Sequence, residues 1–275
     1  MLEEQFIAPS DGASSGVAAP IQPHPELPIS FTLVEAGKTK TLSKQFWLEG
    51  DKIKKQSADL LYSGKARHKS IHFKELPTIF ENATSHQALV LGCYDSEKFG
   101  SEVRLSTKKN VNIAQDLISR SKDYFGFPKG PGLTMLDHDP SEHGRAFSSN
   151  ELIDELAEII PSIKSAAHIV RGSVSAGVHR PDQTPDFAGR GFHMYFPVKD
   201  ASMIEGFAKA VEGHLWLNGL GFIALARNGA MLGNSQKISP SNFHQSVTIT
   251  DVSYGDNFTY QNRNDQLIKK THHYD

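Results

Sequence analysis

The stretch Gly132-Leu133-Thr134-Met135-Leu136-Asp137-His138-Asp139-Pro140 decides the fold. Its apolar run is short, ends on a carboxylate pair and is closed by a proline, a residue that cannot donate to a sheet ladder. The spacing predicts a strand over 133–139. Successive strand side chains point to opposite faces, so Asp137 and Asp139 leave the strand on the same side. Two such anions repel unless a cation lies between or beyond them, and hard oxygen donors at that spacing suit Mg²⁺ or Mn²⁺. An isolated Asp-x-Asp equally serves a solvated strand-end turn, so the surroundings must decide.

Downstream, Ser148 and Glu151 have capping-box spacing ahead of Leu152, Leu156, Ile159 and Ile160, and Pro161 ends that helix. Residues 168–171 read as a short strand, and 191–198 alternate cleanly, with Phe192, Met194, Phe196 and Val198 on one face and His193 with Tyr195 on the other. Asp200 is placed to cap a helix carrying Ile204, Phe207, Ala208, Val211 and Leu215 on one stripe. Residues 222–226 and 230–232 flank Asn228-Gly229, a pair that tolerates the positive φ angles of a two-residue hairpin turn. The order β-α-β-β-α-β-β predicts an α+β fold with helices on one face of a sheet and the other face free to bind.

Upstream, Ile29, Phe31 and Leu33 alternate as a half-buried strand does. Residues 75–82 read as a short helix, 88–92 as an apolar strand and 111–120 as a further helix. Five prolines between 8 and 28, with few large apolar residues, predict a disordered N-terminal arm over 1–28. An N-terminal α/β unit over 29–128, a second unit over 129–255 and a flexible tail over 256–275 complete the expected organisation.

The chain has 275 residues, 38% hydrophobic and 22% charged, which excludes a wholly disordered, collagenous or coiled-coil protein. No stretch nears the ~20 consecutive apolar residues of a membrane helix. The N-terminus lacks the basic start and apolar run of a signal peptide, so a cytoplasmic location without membrane association is expected. Cys93 is the only cysteine. It permits no intrachain disulfide or thiolate-rich zinc site, and leaves oxygen and imidazole as metal donors. The formal net charge of -2 conceals two poles: residues 31–80 hold ten Lys/Arg against five Asp/Glu, and residues 131–165 hold two against seven. A basic surface suits a polyanion and an acidic cluster suits divalent cations, although solvated charge has the same look.

Several other groups fit phosphate chemistry. His193, on the face away from the core and preceded by Gly191, is able to donate to a phosphate oxygen. Ser173-Val174-Ser175-Ala176-Gly177 follows a strand, where small residues form backbone N–H concavities for anions. Arg120, Arg171, Arg180, Arg190 and Lys199 are candidate phosphate partners. Neither the phosphate-loop motif nor the dinucleotide fingerprint occurs.

Taken in order, Gly132 to Pro140, then Ser173-Val174-Ser175-Ala176-Gly177-Val178, then Gly191-Phe192-His193-Met194-Tyr195-Phe196, resemble the archaeo-eukaryotic primase superfamily. The resemblance is closest to primase-polymerase proteins of plasmids, phages and other mobile elements, and extends more loosely over 31–232. That family carries an apolar strand ending in Asp-x-Asp, then a small-x-His motif, then an apolar strand ending in an acid. The resemblance implies an RRM-like antiparallel sheet with helices on one face beside the N-terminal α/β unit. It also implies template-directed primer synthesis on single-stranded DNA from NTP or dNTP. Asp137 and Asp139 would hold Mg²⁺ or Mn²⁺, and His193 would contact the nucleotide phosphates, with Ser173, Ser175, Gly177, Arg190 and Lys199 as further phosphate-side candidates. The basic stretch 31–80 would follow the template, and a replicative helicase would be a separate chain.

One departure concerns the third acid. Residues 233–240 contain no Asp or Glu; Asp251, closing Val247-Thr248-Ile249-Thr250, fits the description but lies late. An impaired enzyme, or a nucleic-acid-binding replication protein of the same fold, therefore stands beside the active primase. An Asp-x-Asp phosphohydrolase of the haloacid dehalogenase type is a third reading.

Overall fold

The computed structural model describes residues 28–37, 39–111, 116–138, 146–174, 176, 178–179 and 191–219, and the backbone of strands at 221–225, 231–235, 258–261 and 267–270. In chain order the strands are β1 (Pro28–Ala36), β2 (Gln45–Glu49), β3 (Lys52–Gln56), β4 (Gly64–His72), β5 (Gln87–Val90), β6 (Cys93–Tyr94), β7 (Glu102–Ser106) and β8 (Leu117–Ser119). There follow β9 (Phe125–Gly126), β10 (Gly132–His138), β11 (Ile169–Gly172), β12 (Phe192–Val198), β13 (Gly221–Leu225), β14 (Met231–Ser235), β15 (Phe258–Gln261) and β16 (Leu267–Lys270). The helices are α1 (Leu76–Asn82), α2 (Ser96–Phe99), α3 (Ser149–Ala157) and α4 (Ile204–Leu217).

An eight-stranded mixed sheet in the order β11-β12-β10-β1-β4-β7-β8, with β5 also pairing β1, organises an α+β fold. The sheet is mixed rather than antiparallel throughout, because β1 runs parallel to β10 and β7 parallel to β8. It continues across residue 128 through the pairing of Ser30 with Gly132. Beyond that point β5 takes the edge of β1 from Thr32 to Glu35, so β10 and β1 part.

Residue parity assigns the strands to their cores. Ile29 and Phe31 enter one core with Leu133, Met135 and Tyr195, whereas Val34 and Ala36, one step out of phase, enter another with Ala66, Val103 and Leu105. Strand β1 is thus buried on both faces, not half-buried as its alternation predicts, because it is central in the sheet. Along β12, Phe192, Met194, Phe196 and Val198 meet α3 and α4, while Tyr195 meets α1.

The expected order β-α-β-β-α-β-β is present as β10-α3-β11-β12-α4-β13-β14. Ser148 and Glu151 cap α3 reciprocally, and Asp200 accepts N–H groups from Ser202 and Gly130 at 3.0 and 3.1 Å, fastening the lead into α4 to the approach to β10. Three expectations are corrected. The face opposite α3 and α4 is not free: Phe73, Leu76 and Phe80 cover it, and the Phe80 and Tyr195 rings lie 4.9 Å apart. Residues 117–119, expected in a helix, form β8, because Ile118 reaches full burial by pairing alongside β7. Finally, β13 and β14 pair with each other in a sheet of their own instead of extending the large one. The Asn228-Gly229 turn lies outside the described residues. Among the described residues, no helix is long and apolar enough to cross a membrane.

Candidate functional site

Antiparallel pairing sets Asp137 of β10 directly opposite His193 of β12, and Arg171 of β11 opposite His193 on its other side. Adjacent strands are about 4.8 Å apart. Register alone therefore lines up a carboxylate, an imidazole and a guanidinium in one row on one face. His193 Nε2 lies 3.3 Å from Asp137 Oδ1. The Arg171 guanidinium carbon stands 5.2 Å from the centre of the Phe80 ring, within cation-π range. The Tyr195 ring meets the His193 ring edge-on. Arg171 is 2% exposed and His193 8%, while the Asp137 side chain is 21% exposed. Solvent thus reaches the row from the carboxylate end.

Met135, Leu133 and Tyr195 continue the same face as an apolar floor, packed under α1. Low polarity beneath the row strengthens any charge interaction formed above it. His138, between the two aspartates in sequence, faces the other way. It packs between Phe147 and Phe192, and its Nε2 accepts the Phe147 N–H at 3.1 Å. The middle residue of Asp-His-Asp is accordingly a core residue.

Asp139, Ser175, Gly177, Arg190 and Asp251 lie outside the described residues. Ser173 follows β11 and donates its N–H to the Gly191 carbonyl at 2.8 Å, while its own carbonyl accepts the Ala176 N–H at 2.8 Å. Its backbone N–H is therefore committed to tying β11 to the start of β12. Lys199 is exposed just past the far end of β12, six residues or about 20 Å along the strand from His193. The structure does not bring it to the row. Of the five candidate cations, Arg180 and Arg190 lie outside the described residues, and among the other three Arg171 is brought against His193. Its signal was an arginine inside the short apolar strand Ile169-Val170-Arg171-Gly172.

The charge poles also resolve. Within the basic stretch, Lys65 and Arg67 pair with Glu102 at 2.7 Å each, and Arg67 reaches Glu35 at 2.8 Å. Hydrogen bonds from Arg67 and Gln87 hold the Glu35 carboxyl below the usual range. Lys52 and Lys55 of β3 remain exposed. The acidic pole divides: Glu151, Asp154, Glu155 and Glu158 line an open groove on α3, which packs on the sheet face opposite Asp137. Asp154 takes Lys164 at 3.0 Å.

A row of this kind suits an anion carrying a cation. Imidazole and guanidinium are donors to phosphate oxygens, and the carboxylate is a hard donor to a divalent ion. Among the described residues, no group of three or more His, Cys, Asp and Glu is placed to hold a metal. Of the described residues in the row, the Asp137 carboxylate is the donor whose hard oxygen fits Mg²⁺ or Mn²⁺, whereas the His193 imidazole suits softer metals and serves better as a hydrogen-bond donor to an anion. No family model matches this chain, and neither a curated protein nor a solved structure matches it.

Proposed function

We propose that the chain is a metal-dependent nucleotidyltransferase, a DNA primase-polymerase making primers on single-stranded DNA in the replication of a plasmid, phage or mobile element. The observation that carries this reading is the in-register row Asp137, His193 and Arg171 across β10, β12 and β11. The order of motifs along the chain gives independent support. Asp137, with Asp139 and Asp251, would hold the Mg²⁺ or Mn²⁺. When bound, the ions would neutralise charge on the triphosphate and favour ionisation of the attacking 3′-hydroxyl.

The chain's own residues have narrower tasks. His193 would donate toward a triphosphate oxygen from Nε2, the ring nitrogen that faces Asp137 at 3.3 Å, once the carboxylate takes the metal, and Arg171 would hold positive charge beside it. Phe80 and Tyr195 exclude water from below. The primase core with its RRM-like half, the NTP or dNTP substrate and a helicase on another chain belong to the same reading.

A catalytically silent nucleic-acid-binding replication protein is the second reading, favoured by the engagement of Asp137 with His193 at 3.3 Å. Topology weighs against a phosphohydrolase. The doubly wound domain of that reading is built mostly of parallel strands, whereas β10 runs antiparallel to β12. Primer synthesis on single-stranded DNA with Mg²⁺ or Mn²⁺ separates the three. The wild-type chain should extend primers and Asp137→Ala should not. Binding without synthesis would favour the silent protein, and phosphate release from a small ester the phosphohydrolase.

A further inference from the structure

Helix α1 has seven residues, and its Leu76 and Phe80, four apart, share one face and are both buried against the sheet. Phe80 is where this helix of the first half of the chain meets the row. Its ring lies 4.9 Å from that of Tyr195, and the Arg171 guanidinium carbon stands over it at 5.2 Å. Tyr195 in turn meets the His193 ring edge-on, with centroids 6.3 Å apart. One ring from α1 therefore touches Arg171 directly and reaches His193 through a single neighbour.

An arginine side chain has wide rotamer freedom. A guanidinium that finds its pose only when an anion arrives binds more weakly than one fixed beforehand. A cation held over the negative face of an aromatic ring is fixed in this way. The attraction is strong where both partners are withdrawn from water, and Phe80 is 1% exposed and Arg171 2%. An aliphatic side chain at position 80 would fill the core around Leu76 equally well, but it has no such face. The packing asks for an apolar group there, and the guanidinium asks for a ring.

We propose that Phe80 is a positioning residue that presets the Arg171 guanidinium for the phosphate oxygens of the substrate. The anion site is then shared between α1 and strands β10, β12 and β11, and does not belong to the second half of the chain alone. The proposal rests on the triphosphate-binding part of the reading above and does not require primer synthesis.

The probe is inorganic tripolyphosphate, titrated at equilibrium and low salt into the full chain. Phe80→Leu, with an unchanged circular dichroism spectrum, should weaken its binding by about 3- to 30-fold. In an Arg171→Met background the same change should make no further difference, because a residue that acts through another then has nothing to act on. Equal losses in both backgrounds would reveal a general packing defect and overturn the proposal, as would a wild-type chain that does not bind tripolyphosphate. Where Phe80→Leu does not fold, a fluorinated phenylalanine at position 80 keeps the ring and drains negative charge from its face. It should weaken binding in the same direction, and unchanged affinity overturns the proposal. Primer synthesis on the same preparations is read separately. Loss of affinity confined to the Arg171 background without primers leaves the positioning role standing and defeats the polymerase, and primers with equal losses in both backgrounds do the reverse.

Discussion

Arg171 has 2% of its surface exposed, which for a permanently charged side chain requires compensation nearby. The flat guanidinium over the Phe80 ring and the imidazole in the next strand define what the position demands: a planar cation. Arg171→Lys keeps the charge but loses the planar stack and the fork of donors. It should weaken binding of a nucleoside triphosphate by about 10- to 100-fold, measured by equilibrium titration, while Lys199→Ala leaves it unchanged. The other telling residue is Cys93, whose thiol burial pushes up to about 12. The thiolate is the nucleophile, so the folded chain should resist iodoacetamide at pH 8 and react promptly in guanidinium. Rapid labelling of the native chain would contradict the packing around β6. Arg171 shows the limit of reading single residues. Its charge was visible in the sequence, but its adjacency to His193 exists only in the register of two strands separated by a long connection.

Strand β10 is the element on which the site depends, and its first residue leaves no room for a side chain. A Cβ at Gly132 would come within 2.5 Å of the Ala201 Cβ, at the turn that leads into α4. Gly132→Ala should therefore lower stability by about 1–3 kcal/mol, seen as a reduced denaturant midpoint with an unchanged m-value. A neutral result would mean that the turn at Ala201 does not press on β10. Elements with strong local signals were legible: the Ser148 and Glu151 capping box, the Asp200 cap and the strand from Phe192 to Val198 all appear where the sequence predicts them, although that strand is buried on both faces and not on one. Residues 117–119 were misread because three apolar-to-small residues have no periodicity of their own. Their strand exists only by pairing with β7, a non-local fact. The same applies to the face thought to be free. Phe73, Leu76 and Phe80 that cover it come from a segment about 60 residues earlier than β10, and nothing local announces where a short helix will dock.

At the scale of the molecule, one mixed sheet joins the two halves of the chain, with α3 and α4 behind it and α1 in front. The front layer stops short of one end of β10, and there the row Asp137, His193 and Arg171 reaches solvent at its carboxylate end. Two of the three residues in the described row were legible as a site. Asp137 and His193 could be named from the motif order, and Arg171 came forward only with the fold; Asp139 and Asp251 lie outside the described residues. The acidic pole misled in part because net charge along a sequence ignores faces: the α3 carboxylates lie behind the sheet, across from Asp137. The most direct measurement is equilibrium binding of a nucleoside triphosphate with and without Mn²⁺, for the wild-type chain and for Asp137→Asn. The account predicts that Mn²⁺ tightens binding by the wild type and makes no difference to Asp137→Asn. Equal Mn²⁺ dependence in both proteins would contradict it.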